Sequence, residues 1–391
     1  MKKHLKRISL VLLSLLGAIV AALLCLFIVI LVSSGRDKRN FAQAQENHVA
    51  ALEASYSQPG YAPLSEMVMT GFDVDTAISA DTRLNELRFI GTHNSYKAYN
   101  PMAEWLMNRL LAPLRLSYAG LWSYGFEPLS QQFDKGIRSI ELDVMREKNE
   151  RGKKDGFRCA HIPIIDYASN CPDFSLALEE IALWSDHHPE HLPITVLVEV
   201  KASALSGGML YHPFHIDDTL ALEELVTSKL GGRLYTPADM LGEYESFAQL
   251  RAADDYPLLS ALLGKIIMIY HYDWRGTTQA YVDSDPTARS LKMFPSTGEW
   301  MTYADLDPNQ DYACFLIDND SGSEFMEENA EKNNLLVRTR TDAWPWHADE
   351  WDAEAMASGA FILTTDYPPR GVPGDDPHVT TFQGGATVAY R

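Results

Sequence analysis

The chain is short of positive charge. Its 391 residues carry 33 Lys and Arg against 53 Asp and Glu, a formal net charge of -20. Seven of the basic residues and one acid fall in the first 39 positions, so the remainder carries -26. A body that acidic repels nucleic acid through its long-range field, which excludes a nucleic-acid partner. It repels anionic lipid too, unless a cation or a local basic patch intervenes. Cysteine is also scarce. There are four, none in a CxxC pair, so no zinc ribbon is expected. Cys159 and Cys171 either pair in an oxidising compartment or stay as buried thiols, and Cys314 reads as core. No G-x-G-x-x-G follows the first apolar run and no P-loop occurs, which removes two common nucleotide-binding plans. Repeats and low-complexity blocks are absent as well.

One stretch lacks charge altogether. Residues 8–32, 25 in a row, are uncharged, more than the roughly 20 needed to span a bilayer. No small-x-small site closes the run, and Leu24 stands before Cys25 where a lipoprotein signal needs a small residue. The run reads as an uncleaved anchor, with a cleaved signal peptide as the alternative. Four basic residues precede it, which favours a cytoplasmic N-terminus and a body outside, in the periplasm or at the cell surface. The expected organisation is a basic N-terminus (1–7), an anchor (8–32), a stalk or linker (33–85), a catalytic barrel (86–369) and a C-terminal tail (370–391). "SQPGYAPLS" breaks the stalk.

From residue 86 short apolar runs alternate with helix-like segments. The runs are "LRFIG" (87–91), "IRSIELDV" (137–144), "FRCAHI" (157–162), "ITVLVEV" (194–200), "KIIMIYH" (265–271), "ACFLID" (313–318), "LLVRTR" (335–340) and "FILTTD" (361–366). Several are too continuously apolar for a sheet with one wet face. Eight such strands with intervening helices predict an α/β fold, a closed (β/α)8 barrel of TIM type. An open doubly wound sheet is the structural rival.

The polar residues of these runs gather at their C-terminal ends, where a barrel keeps its chemistry. The first run leads into His93 and Asn94. The second carries Glu141 and Asp143, the third His161, the fourth Glu199 and Lys201, the seventh Arg338 and Arg340, and the last ends at Asp366. Glu141 and Asp143 are two apart and share a face, as do Glu199 and Lys201. Two carboxylates on one face repel unless a cation joins them. Asn94, Glu141, Asp143 and Glu199 offer an all-oxygen set that suits Ca2+, with Mg2+ second and zinc a poor fit. His93 and His161 beside a hard cation suit acid–base work at a phosphoryl group. Lys201, Arg338 or Arg340 could hold phosphate oxygens. Each residue also has a plain alternative: Glu141 and Asp143 paired with Arg138 or Arg146, or Glu199 with Lys201. "DNDSGSE" (318–324) has its glycine one place early for an EF-hand. The histidines of "DHHPEH" fall at the barrel's bottom and read as a loop.

"GTHNSY", "PLSQQFDKGIRSIELDV", "CAHIP", "HPEHLPITVLVEVK" and "SGAFILTTDYP" together resemble the calcium-dependent phosphoinositide-specific phospholipase C family, in its bacterial and fungal secreted-type branch, within the PLC-like phosphodiesterase superfamily. The resemblance covers residues 86–369 with gaps. It implies a catalytic pair at His93 and His161, calcium ligands at Asn94, Glu141, Asp143 and Glu199, and a substrate contact best matched by Lys201. It also implies attack by the inositol 2-hydroxyl on phosphorus, expelling diacylglycerol and leaving a cyclic inositol phosphate. The substrate partner would be a phospholipid. A glycerophosphodiester is the alternative, but the "HRG" opening usual in glycerophosphodiester phosphodiesterases is absent. A non-catalytic, surface-tethered binding barrel is a further alternative. The insertion at 98–126 is either a lid, a membrane-dipping ridge or packed helix.

Overall fold

The run "ITVLVEV" leaves no face for water. In the computed structural model of the chain it is a central strand, and only Glu199 of its seven residues escapes full burial. The structure describes residues 2–111, 113, 124–148, 154–162, 165–201, 211–212, 214–271, 276–298, 310–324, 332–342, 348–368 and 379–391. Most of "AGLWSYGF" in the 98–126 insertion, and residues 370–378 of the tail, lie outside the described residues.

The strands are β1 (Leu87–Thr92), β2 (Ser139–Lys148), β3 (Lys154–Cys159), β4 (Ile194–Val200), β5 (Tyr211–His212), β6 (Ile266–Tyr270), β7 (Phe294–Gly298), β8 (Phe315–Ile317), β9 (Leu336–Arg340), β10 (Ile362–Thr365) and β11 (Val388–Tyr390). Among the described residues eight of them, β1, β2, β4, β6, β7, β8, β9 and β10, pair in parallel, each with the next, and β10 closes on β1. The closed barrel expected from the sequence is present. β1 meets β2 only at Gly91↔Ser139, where a Cβ on Gly91 would stand 2.7 Å from Ser139 Cβ. β11 runs antiparallel along the first half of β1, so the chain's last residues are part of the sheet.

One barrel strand differs from expectation. "FRCAHI" does contribute a strand, but β3 pairs antiparallel with β2 and stands outside the barrel. The eighth position is taken by β7, "FPSTG", whose proline, glycine and hydroxyl residues carry little strand signal and which is not among the eight runs. All five are buried, and its Phe294 and Pro295 sit opposite Ile269 and Tyr270. Burial between two neighbours overrides its weak strand propensity.

The helices that bear on function are α1 (Lys2–Tyr56), α2 (Glu66–Thr70), α3 (Val74–Ser79), α4 (Met102–Leu111), α5 (Leu129–Asp134), α6 (Phe174–His187) and α7 (Ile216–Leu230). α6 starts at Asp173, whose side chain accepts from Leu176 N at 3.0 Å. α1 is continuous through the uncharged run and beyond it, and residues 33–56 lie against the barrel. Asp37 accepts from Tyr167 Oη at 2.9 Å. Gln45 makes two bonds to the Asp173 backbone, at 2.9 and 2.8 Å. His48 reaches Ser130 and Glu180, and Tyr56 stacks on His187 with centroids 4.2 Å apart. α1 therefore runs beside α6 in the same direction.

The bottom of the barrel is tied by Arg138, fully buried, whose guanidinium donates to both Glu66 oxygens at 2.7 and 2.6 Å. His188 stacks on Trp184 at 4.0 Å, and His191 is bonded through both ring nitrogens. The "DHHPEH" histidines are thus packing residues. Cys159, Cys171 and Cys314 are free and buried.

Candidate active site

β1 delivers the chain to a turn at His93–Asn94. Asn94 has φ 52°, a left-handed backbone that a short polar side chain tolerates well. The turn is stitched to both flanking strand ends: His93 N donates to Thr365 O at 3.1 Å and Ser95 N to Glu141 O at 2.9 Å. His93 Nδ1 stands 2.9 Å from Asp366 Oδ1 at the end of β10, and Asn94 Nδ2 donates to His93 Nε2 at 3.2 Å. These bonds put the proton on Nδ1. Burial, then the charges of Arg340 and Arg338, holds the His93 imidazolium well below the ordinary range, so the ring is neutral at pH 7.

A second histidine is held in the same way. His161 Nδ1 lies 2.6 Å from Asp166 Oδ2, and the other Asp166 oxygen pairs with Lys97, itself buried. His161 stands on the loop after β3 rather than on a barrel strand.

Between them lies the carboxylate cluster. Tyr96 Oη donates to Asp143 Oδ2 at 2.7 Å and contacts Asn94 Oδ1 at 3.1 Å. Lys201 Nζ stands 2.9 Å from Asp143 and 2.6 Å from Glu199. Glu141 pairs with Arg338. Arg340 bridges Asp342 and Asp366 at 3.2 and 3.1 Å. The plain pairings with Arg138 and Arg146 do not occur, since those arginines hold Glu66 and Asp218. The Glu199–Lys201 pair does occur, but as part of this network. Burial pushes Asp143 up, with the Glu199 and Glu141 charges adding and Lys201 opposing. Glu199 is held low: burial works against it, and Lys201 and His271 outweigh burial. The same balance, with Arg338, lowers Glu141.

The donor set fits a hard divalent cation. Glu141, Glu199 and His271 each bring a ligand atom within 4.8 Å of the others. Asp143 Oδ1 is buried with no hydrogen-bond partner among the described residues. An orphaned carboxylate oxygen at 0% exposure is costly unless a cation meets it.

The ten residues singled out from the sequence, Asp366 among them, thus lie together at this end of the barrel, nine at strand ends and His161 on the loop after β3. Reading the sequence missed five others. His271 closes "KIIMIYH" by the same strand-end pattern that marked Glu199, and that signal was available. Asp166, Lys97, Tyr96 and Tyr124 act through contacts between loops, which no spacing announces. Tyr124 Oη lies 3.2 Å from His93 Nδ1 and accepts from Asn94 Nδ2 at 3.0 Å.

A sequence model of phosphoinositide phospholipase C, Ca2+-dependent, matches residues 82–153 and 145–389. Among solved structures the chain is similar to a calcium-dependent phosphoinositol-specific phospholipase C from a Gram-negative bacterium, Pseudomonas sp. In the myoinositol complex the TM-score is 0.55 at 16% identity, over 82% of this chain and 98% of that one. A second crystal form of that protein gives 0.54 at 16% identity, over 80% and 96%. At that identity the likeness bears on the barrel fold. No curated protein sequence matches the chain.

Proposed function

The chain belongs to the Ca2+-dependent phosphoinositide phospholipase C family, and on that premise we propose that it cleaves a phosphatidylinositol-type phosphodiester by two-histidine acid–base catalysis. The observation that carries the reading is the pair of His–Asp couples, His93–Asp366 and His161–Asp166, on either side of one carboxylate cluster. Neutral His93, its Nδ1–H directed at Asp366, takes the proton of the inositol 2-hydroxyl at Nε2. The new O–P bond forms as the bond to the diacylglycerol oxygen breaks. His161, bonded through Nδ1 to Asp166, gives that oxygen its proton. Asn94, Glu141, Asp143 and Glu199 would hold the calcium ion. Once bound it lowers the pKa of the attacking hydroxyl and offsets developing charge. Lys201, Arg338 and Arg340 orient the anionic oxygens.

We also read residues 8–32 as an uncleaved anchor with the barrel outside the cytoplasm. Supporting this, Ile30 packs in a cluster with Ala103 and Met107 that cleavage after the span would dismantle.

The test uses the full chain with phosphatidylinositol vesicles, with calcium or with chelator, followed by phosphorus NMR. A cyclic inositol phosphate that requires both calcium and His93 is expected, and His93→Ala should lose about 10²–10⁴ in rate. Release from glycerophosphodiesters alone would replace this reading with a glycerophosphodiesterase. Calcium binding without turnover on either would point to a binding barrel.

A further inference from the structure

Cys159 ends β3, and Cys171 stands two residues before Asp173, which caps α6. Both are fully buried, and their thiols are in hydrogen-bond contact. The backbones meet there as well. Arg158 bridges Asp173 in antiparallel fashion, and Cys159 N donates to Pro172 O at 3.0 Å. A disulfide needs Cα atoms about 4.4–6.8 Å apart, the separation of neighbours across paired chains. The third buried thiol sits elsewhere in the core, where Cys314 donates to Met240 Sδ at 3.5 Å.

The loop between the two cysteines carries His161 and Asp166. His161 comes two residues after Cys159, and Asp166 five before Cys171. Ile162 N and Asp166 N each donate to the other's carbonyl, at 3.0 and 2.9 Å. Both ends of the loop touch the site. Ala160 N donates to Asp143 O at 3.3 Å, and Asn170 N to Tyr96 O at 2.7 Å. The base of the loop is thus held by the Arg158–Asp173 bridge, one further backbone bond and the thiol contact. A parting of that base displaces His161 directly, and a shift of about 1 Å at a reacting group costs rate steeply. Burial, then the contact with Cys159, raises the Cys171 thiol well above its ordinary range. In the closed fold it is therefore a poor nucleophile, and it reacts as the chain folds or as the loop opens.

We infer that Cys159 and Cys171 form a disulfide that closes residues 159–171 into a ring and fixes the His161–Asp166 couple beside the carboxylate cluster. The oxidant is a small-molecule or protein disulfide. One cysteine, as thiolate, attacks a sulfur of that disulfide and expels a thiol. The other attacks the resulting mixed disulfide and expels the second thiol. The two cysteines lose two electrons and two protons, and the oxidant's S–S bond becomes two S–H groups. Closing the ring also limits the freedom of the opened loop. The bond makes the cysteines positioning residues, a role that rests on the reading of His161 as the proton donor. The bond itself does not depend on that reading.

The test equilibrates the full chain in detergent with mixtures of reduced and oxidised glutathione, starting once from the reduced and once from the oxidised protein. Acid quenching, denaturation and a maleimide mass tag then count free thiols. The oxidised chain should take two tags, on Cys25 and Cys314, against four after reduction, and peptide mapping should recover 159 joined to 171. Four tags at every ratio, or a bridge through Cys314, would overturn the inference. Hydrogen exchange reads the loop without substrate. Amides of residues 165–170 should exchange about tenfold faster in the reduced chain and in Cys159→Ala, while those of β4 keep their rate. Equal exchange across 165–170 in both redox states would overturn the clamp. On phosphatidylinositol the reduced chain should lose about 3- to 10-fold in kcat with KM unchanged. Equal kcat in both states would overturn the positioning role. No turnover in either state would count against the proposed function, and the tags and the exchange rates would still decide the bond.

Discussion

With the proposed calcium ligands, Lys201 and the ion want the same oxygens. Its Nζ stands 2.6 Å from Glu199 and 2.9 Å from Asp143, with side chain and partners largely shielded from water. A hydrogen bond to a charged group is worth about 1.5–3 kcal/mol, so the two together hold about 3–6 kcal/mol that calcium must compete with. Lys201→Met removes that competition. The displaced ammonium regains other partners as it swings aside, so about half the sum is a fair expectation. Half of it, about 1.5–3 kcal/mol, makes calcium binding roughly 10- to 150-fold tighter. Turnover should move the other way, because the cation proposed to orient phosphate oxygens is lost. Calorimetric titration of calcium into the two full-length proteins at equal ionic strength measures the first effect without any substrate. The variant should also melt lower in chelator, where its carboxylates face one another, and recover more than the wild type when calcium is added. Weaker or unchanged calcium affinity in Lys201→Met would refute the competition and make the lysine a structural counter-ion.

Three other outcomes follow from the geometry. Asp366→Asn removes the charge that stabilises His93 once protonated. About 10- to 100-fold should be lost in kcat with little change in melting temperature, since Arg340 keeps Asp342, and an unchanged kcat would sink the couple. His191 is pushed down to about 3, by burial first and then by Arg138 and His188 against its bond to Leu192. Its folded pKa is below the unfolded value of about 6.5, so its contribution is intact above pH 6.5 and is lost as pH falls. Acid unfolding should therefore steepen by up to about 1.4 kcal/mol per pH unit below 6.5, a slope that His191→Gln should flatten in pH-dependent urea melts. Glu66→Gln strands the buried Arg138 charge and should cost about 3–5 kcal/mol in chemical denaturation, with calcium binding unchanged.

The barrel was legible because buried parallel strands are apolar on both faces, and runs such as "ITVLVEV" and "KIIMIY" advertise that. β7 was hidden for the converse reason. A short strand whose burial is supplied by its neighbours needs no propensity of its own. "FRCAHI" was misplaced because propensity identifies a strand but not its partner, and the hairpin with β2 draws it out of the barrel. The metal-ligand candidates could be read from strand ends and parity. The residues that hold those groups in place could not. Asp166 lies five residues after His161, and Lys97 and Tyr96 lie beyond the first turn, and they meet the site only once loops fold back. Residues 33–56 looked like a stalk because their polar face was visible in the sequence and their barrel partner was not.

The unbroken α1 also changes what concentration means for this protein. With residues 8–32 as the anchor we propose, a barrel fixed to the end of a rigid strut would not search the surrounding volume, and would meet only the lipids that diffuse laterally beneath it. Its rate then follows the mole fraction of substrate in the leaflet. Adding inert lipid to the bilayer slows it, whereas diluting the same liposomes into more buffer does not.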